Sequence, residues 1–234
     1  LEGAEIKVTE REKILARIKE ALAVPTPQAT HDHSGPAPSS YPGAQSARQW
    51  LPQVGPTFED RLALFTRNAA DLKADFHLLA GSEELSRFLI SLRDTEGWKK
   101  IGTHAGQLTD DASRSLALPI CRTDQPYDVN ELESCDAAIT ECDALIAQTG
   151  SVLVTVRSAG GRALSVLPPH HVVLARRNQL ISDLPEAFAL LKTKYAENYP
   201  SFISLITGPS RTGDIERILV LGAHGPKKLT IFCS

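Results

Sequence analysis

Phe76-His77-Leu78-Leu79-Ala80 is a short apolar run, closed by Gly81 and followed by a helix-length segment from Ser82 to Leu92. A second strand-length run at Lys100–Thr103, a helical segment near Leu108–Leu116 and a third strand at Ala117–Cys121 continue the pattern. Strands that alternate with helices are joined by crossovers, and crossovers favour parallel pairing with helices on the sheet faces. The reading is therefore an α/β protein with a three-layer, largely parallel sheet flanked by helices. Gly102-Thr103-His104-Ala105-Gly106 ends one of these strands, where ligands bind in open α/β sheets, although an exposed loop residue is the plainer reading of His104.

The pattern extends both ways from this core. Upstream, Leu62, Phe65, Ala69 and Leu72 recur at helical spacing after Thr57. Downstream, Asp143–Ala147 reads as a buried strand, broken at Gln148-Thr149-Gly150 before a strand at Ser151–Val156. Ser158–Arg162 looks like a hairpin turn returning into Ala163–Leu167, which Pro168 and Pro169 stop. His170-His171 leads into Val172–Ala175, and adjacent strand residues point to opposite faces. Pro185 with Leu184, Phe188, Leu191 and Tyr195 marks a long helix, and Leu229–Cys233 a last strand.

Before Thr57 the composition changes. Glu10–Ala23 is an amphipathic helix with Ile14, Ile18 and Leu22 on one stripe, its basic residues largely cancelled by Glu10, Glu12 and Glu20. Val24–Thr57 holds seven of the fifteen prolines, mixed with Ser, Gly and Ala, which excludes continuous helix or strand. The expected division is residues 1–57 as helix and arm and 58–234 as the α/β domain. Trp50 and Leu51 are apolar enough to pin the arm to the body or to another subunit, so the arm is a candidate contact for homo-oligomers. His31 and His33 in the arm are expected to be solvated.

The charge balance narrows the function classes. A net charge of −3 without a Lys/Arg cluster gives no footprint for nucleic acid or an anionic membrane surface. No apolar run approaches the ~20 residues of a membrane span. The expected location is cytoplasmic. Cys121, Cys135, Cys142 and Cys233 form no Cys-x-x-Cys pair, so they read as reduced structural thiols with no metal.

Chemistry concentrates in Thr207-Gly208-Pro209-Ser210-Arg211-Thr212-Gly213-Asp214-Ile215-Glu216. Phe202–Ile206 ahead of it reads as a buried strand, while Ile215, Ile218 and Leu219 fall on one helical face that Gly222 ends. A loop between strand and helix would gather free N–H groups and the positive end of a helix dipole. With the Arg211 fork, Thr207, Gly208, Ser210, Thr212 and Gly213 make a candidate anion cradle. The loop has neither P-loop nor dinucleotide spacing, and its hydroxyls and Asp214 could equally cap the helix. Gln148, Thr149, Gly150, Arg162, His171 and His224 are secondary ligand candidates.

Four segments carry a resemblance: Asp143–Ser151, Leu167–Val172, Thr207–Glu216 and Leu219–Pro226. In that order they resemble the lactate-utilisation protein C family, the LUD domain. The resemblance implies the fold shared by ribose-phosphate isomerase, glucosamine-phosphate deaminase and coenzyme A transferases, and a part with two partner proteins in oxidising L-lactate to pyruvate. It also implies that iron–sulfur clusters sit in the partners, with no cofactor in this chain. Where the family usually has Ala-Glu-Thr-Gly-Thr, this chain has Ala147-Gln148-Thr149-Gly150-Ser151, and an amide can be neither a nucleophile of the transferase kind nor a general base. Three readings follow: a non-redox subunit that binds a small anion or its partner subunits, a stand-alone enzyme on a sugar phosphate or acyl-coenzyme A, or a scaffold that binds proteins only. For the enzyme reading, Glu141, Asp143 and Asp214 are the available carboxylates.

Overall fold

The computed structural model describes residues 15–17, 19–20, 51–213, 219–221 and 225–234. The chain divides into two units, 1–50 and 51–234. In the first, 15–17 and 19–20 are helical and exposed, within the expected Glu10–Ala23 helix. His31, His33, Trp50 and most of the proline-rich arm lie outside the described residues.

The second unit opens with α1 (Phe58–Asp71), which Thr57 starts through a capping box: its hydroxyl accepts from Asp60 N, and the Asp60 carboxylate accepts from Thr57 N. β1 (Asp75–Leu78), α2 (Ser82–Glu96), β2 (Ile101–Thr103), α3 (Gln107–Leu116) and β3 (Ile120–Arg122) follow as the alternation predicts. Gly97 stops α2 in the left-handed region at φ 70°, a conformation only glycine adopts freely. α4 (Val129–Glu133) and β4 (Ala137–Glu141) come next. They are followed by β5 (Ala144–Ile146), β6 (Ser151–Thr155), β7 (His170–Ala175) and β8 (Leu180–Ile181). The chain continues with α5 (Leu184–Tyr195), β9 (Ile203–Ile206), β10 (Arg211–Gly213), β11 (Leu219–Leu221) and β12 (Lys228–Cys233).

Six strands form one sheet in the order β1-β12-β7-β4-β2-β3, and every neighbouring pair is parallel. α2 and α3 cover one face, where Leu85, Leu89, Trp98 and Leu116 meet Ile139, Val172 and Leu174. α1 packs on the opposite face through Phe65 and Ala69, which meet Val173, Leu229 and Ile231. The three-layer α/β arrangement is thus present. No described helix is long and apolar enough to cross a membrane.

Beside it stands a second sheet, β8-β5-β6-β9, in which β5 and β8 are parallel and the other pairs antiparallel. Asp143–Val156 and Phe202–Ile206 therefore do not extend the parallel sheet. Leu145, Val152 and Val154 share the core of Phe65, while Ala144, Ile146 and Leu153 turn the other way onto α5. The long C-terminal helix covers this second sheet. β9 is its edge and is only half covered, with Ile203 and Leu205 39% and 38% exposed, so the expectation of a buried strand there is corrected.

Three further differences have local causes. Ala163–Ser165 is a single 3₁₀ turn and not a returning strand, because Leu164 drops into a small core with Cys121, Leu132, Cys135 and Ala138. β4 adds a strand that the pattern does not predict, because it opens on Ala137-Ala138, which lack the branched or aromatic side chains that signal a strand. Of the helix expected over Ile215–Gly222, the described Leu219–Leu221 is a strand that pairs antiparallel with Arg211–Gly213, and the rest lies outside the described residues. Short apolar runs do not by themselves distinguish helix from strand.

Candidate functional site

The C-terminal half of α1 gathers segments that are far apart in sequence. Asn68 reaches across with its amide Nδ2 and donates to the carbonyls of Ala147 at 2.9 Å and Gln148 at 3.0 Å. It thereby holds the turn between β5 and β6. Gly150 takes φ 65° in that turn, and a Cβ there would stand 2.8 Å from Asn68 Cβ. Immediately after it, the hydroxyls of Ser151 and Thr207 lie 2.8 Å apart, so the turn and the Thr207 segment are joined.

One helical turn beyond Asn68, the Leu72 carbonyl accepts a hydrogen bond from the Arg211 guanidinium. Gly208, at φ 84°, passes so close to that carbonyl that a Cβ would come within 2.5 Å of it. Ser210 N donates to Pro226 O at 2.9 Å, and Lys227 N to Pro169 O at 2.7 Å. Gln148–Ser151, Pro169, Thr207–Arg211 and Pro226 thus form one connected patch.

The patch is not the cradle that the spacing predicts. Arg211–Gly213 is extended as β10 and paired with β11, so no helix begins at Thr212 or Gly213. Arg211 is exposed and spends a donor on Leu72. None of five cavities among the described residues is lined by the Thr207–Arg211 segment. Asp214, Glu216 and His224 lie outside the described residues.

The secondary candidates divide. Gln148 donates its side-chain amide to Pro52 O at 3.1 Å and its backbone N–H to Ser182 O at 2.9 Å. Thr149 Oγ1 is buried with no hydrogen-bond partner among the described residues. Arg162 lies away from the patch in its contacts, with its guanidinium 5.8 Å from the Phe202 ring centroid. His171 is inside the parallel sheet, its Nε2 2.9 Å from Thr140 Oγ1, and His170 points the other way to Thr230 Oγ1 at 2.9 Å. Burial pushes His171 down to about 3 and His170 down to about 4, so both are neutral and hold the sheet together.

His104 is buried, not an exposed loop residue. Its Nε2 accepts from Glu141 N at 3.2 Å, which leaves Nδ1 to donate to Ala105 O at 2.9 Å. Burial lowers its pKa. Glu141, at the end of β4, accepts from Leu108 N at 2.8 Å in the first turn of α3, a helix start that favours a carboxylate. Asp143 has a fully buried side chain whose Oδ1 accepts from Lys194 Nζ at 2.6 Å and Tyr195 Oη at 2.7 Å. Burial works to raise its carboxyl, but the Lys194 hydrogen bond and charge, with Tyr195, bring it below the usual range. The cysteines do not converge: Cys135 packs with Cys121 and Cys142 with Cys233. Burial raises all four thiols, Cys135 and Cys233 to about 11.

Sequence reasoning passed over Arg61 and Arg177. They sit on α1 and in the β7–β8 connection, yet line one cavity of about 370 Å³. Only their separation of more than a hundred residues hid the pair; the charges themselves were visible.

Comparison with known proteins agrees with the segments that form the patch. Residues 128–232 match the LUD domain. Over 225 residues the chain is 27% identical to Lactate utilization protein C of Deinococcus radiodurans, covering 94% of this chain and 92% of that one. It is 34% identical over 100 residues to Lactate utilization protein C of Macrococcus caseolyticus, and 31% identical over 105 residues to Lactate utilization protein C 1 of Bacillus mycoides. Those two matches span 43% and 45% of the relatives' lengths and 42% and 44% of this chain. A crystal structure of a DUF162 family protein from Deinococcus radiodurans has the same fold, with a TM-score of 0.60 at 20% identity over 76% of this chain and 99% of that one.

Proposed function

We propose that this LUD-domain chain serves a lactate-utilisation system as a subunit that carries no electrons itself and presents a binding surface to its partners. The observation that supports it is the patch on α1. The segments that carry the resemblance converge there through Asn68, the Ser151–Thr207 hydroxyl pair and the Ser210–Pro226 hydrogen bond. A surface assembled from the family's own motifs is where a family function belongs, and loops held on a rigid helix are suited to recognition.

The side chains favour binding over covalent chemistry. Gln148 stands where the family's glutamate would, and its amide is engaged with Pro52. The four thiols are buried and protonated in separate parts of the core, which is a poor setting for cluster ligation by this chain. In this proposal the iron–sulfur clusters belong to the partner subunits.

The test is a deletion strain grown on L-lactate as sole carbon source, combined with affinity capture of the tagged chain. Loss of growth that the intact gene restores, with iron–sulfur proteins recovered in the capture, is the expected result. Normal growth on lactate would overturn the assignment. Turnover of a sugar phosphate or an acyl-coenzyme A by the purified chain alone would replace it with the enzyme reading.

A further inference from the structure

The cavity lined by Arg61 and Arg177 is built by α1, the β7–β8 connection, β8 and α5, beside the candidate patch. α1 contributes Phe58 and Arg61, the β7–β8 connection contributes Arg177 and Asn178, and α5 contributes Glu186 from its first turn. Leu180 and Ile181 close the apolar side. Ile181 O accepts from Ala147 N, and the next carbonyl, Ser182, accepts from Gln148 N. The cavity wall is therefore one hydrogen bond from the Gln148–Gly150 turn.

Its polar groups are incompletely paired. Arg61 Nε is buried and has no hydrogen-bond partner among the described residues, and an unpaired buried guanidinium nitrogen is a costly thing to keep. Arg177 spends one guanidinium nitrogen on Leu79 O at 3.3 Å, which fixes its stem and leaves the rest of the fork. Glu186 is turned to Ser182, accepting from its N at 2.8 Å and its Oγ at 2.7 Å. Two arginines against one glutamate leave the lining with one net positive charge.

We propose that this cavity is a binding site for a small monocarboxylate, held by Arg61 and Arg177 with its short carbon chain against Phe58, Leu180 and Ile181. The charge count selects a monoanion. A phosphate dianion would overfill the single net charge and meet the Glu186 carboxylate. A planar carboxylate matches a guanidinium fork, and the apolar wall gives a short aliphatic acid something to bury. The site deepens the lactate-utilisation reading and rests on it only for which acid is physiological.

Isothermal titration calorimetry of the whole purified chain with L-lactate, pyruvate, butyrate and inorganic phosphate tests it. Saturable binding of the carboxylates, tighter than that of phosphate, is expected. Arg61→Ala should weaken it about tenfold or more, as loss of a charged hydrogen bond does. Glu186→Gln keeps a carbonyl for Ser182 but removes the opposing charge, and should strengthen binding about threefold. Lys228→Ala, outside the cavity and paired with Glu96, should leave affinity unchanged. Phosphate binding in preference to all three acids would overturn the ligand class. No saturable binding by the folded chain, or affinity indifferent to both Arg61→Ala and Glu186→Gln, would overturn the site. Carboxylate binding that follows this pattern in a chain whose deletion leaves growth on lactate normal would uphold the site and sink the lactate assignment.

Discussion

In the six-stranded sheet the buried polar side chains answer one another across neighbouring strands, His171 with Thr140 and His170 with Thr230, and the rings stay neutral. In the four-stranded sheet the buried acid Asp143 reaches outward to Lys194, a half-exposed side chain, and to Tyr195. The turns differ in the same sense. The β5–β6 turn is held by Asn68 of α1, and the backbone of Ala147 and Gln148 bonds to Ile181 and Ser182 beside the arginine-lined cavity. One sheet satisfies its buried polar pairs within itself, while the other joins its buried acid to a half-exposed lysine and has its β5–β6 turn held by α1. A rigid parallel sheet can then act as the mount and the smaller sheet as the working part.

The comparison breaks most severely if the two sheets do not share a core. Phe65 is fully buried between Leu145 and Val152 of one sheet and Val173 and Ile231 of the other, with its ring edge-on to Phe76 at 4.9 Å. Phe65→Ala should cost about 3–5 kcal/mol, the range for deleting a large buried aromatic. Urea unfolding followed by circular dichroism should still show one transition, shifted to lower denaturant. Two separated transitions would mean that the small sheet folds on its own, and the division into mount and working part would lose its physical basis.

The neutral histidines give the next effect. His170 and His171 have folded pKa values of about 4 and about 3, below the ~6.5 of the unfolded chain. Between those limits the unfolded state binds protons that the folded state refuses, so stability rises with pH there and is lost as pH falls below about 6.5. By pH 5 each histidine removes about 2 kcal/mol, the loss continuing until the folded ring itself titrates. A series of urea midpoints from pH 7 to pH 5 measures the slope. His171→Gln, which has no proton to take up, should flatten it by about half. An unchanged slope would show that the His171 ring is not what refuses the proton in the folded state.

The amino-acid pattern made the mount far more legible than the working part. Phe76–Ala80, Ser82–Leu92 and Lys100–Thr103 show their structure locally, because each is a whole strand or helix with its own apolar periodicity and a glycine or turn to end it. β4 is hard to read because it opens on two alanines and ends on an acid, although between β2 and β7 Ala137–Thr140 are buried. The Thr207 segment was legible as a place where chemistry concentrates and illegible in form. Leu219-Val220-Leu221 satisfies a helix face as well as a strand until its partner Arg211-Thr212-Gly213 is known. The arginine cavity could not be read at all, since Arg61 and Arg177 are neighbours only through the packing of α1 against the β7–β8 connection.

The smallest effect tests how firmly the Thr207 segment is tied to the mount. Arg211 is exposed, and its guanidinium donates to Leu72 O just past the end of α1, where helix carbonyls lack partners of their own. Water can replace that donor at an exposed carbonyl. Arg211→Ala should therefore cost no more than about 0.5–1 kcal/mol, the lower part of the range for a single net hydrogen bond. Gly208 makes the contrasting variant. At φ 84° and against the same carbonyl, Gly208→Ala adds both backbone strain and a clash, so it should cost more than Arg211→Ala. If thermal unfolding instead showed Arg211→Ala losing several kcal/mol and Gly208→Ala little, the arginine would be the clamp that holds the segment on α1. The patch would then depend on one charged side chain, and the close backbone approach at Gly208 would be incidental.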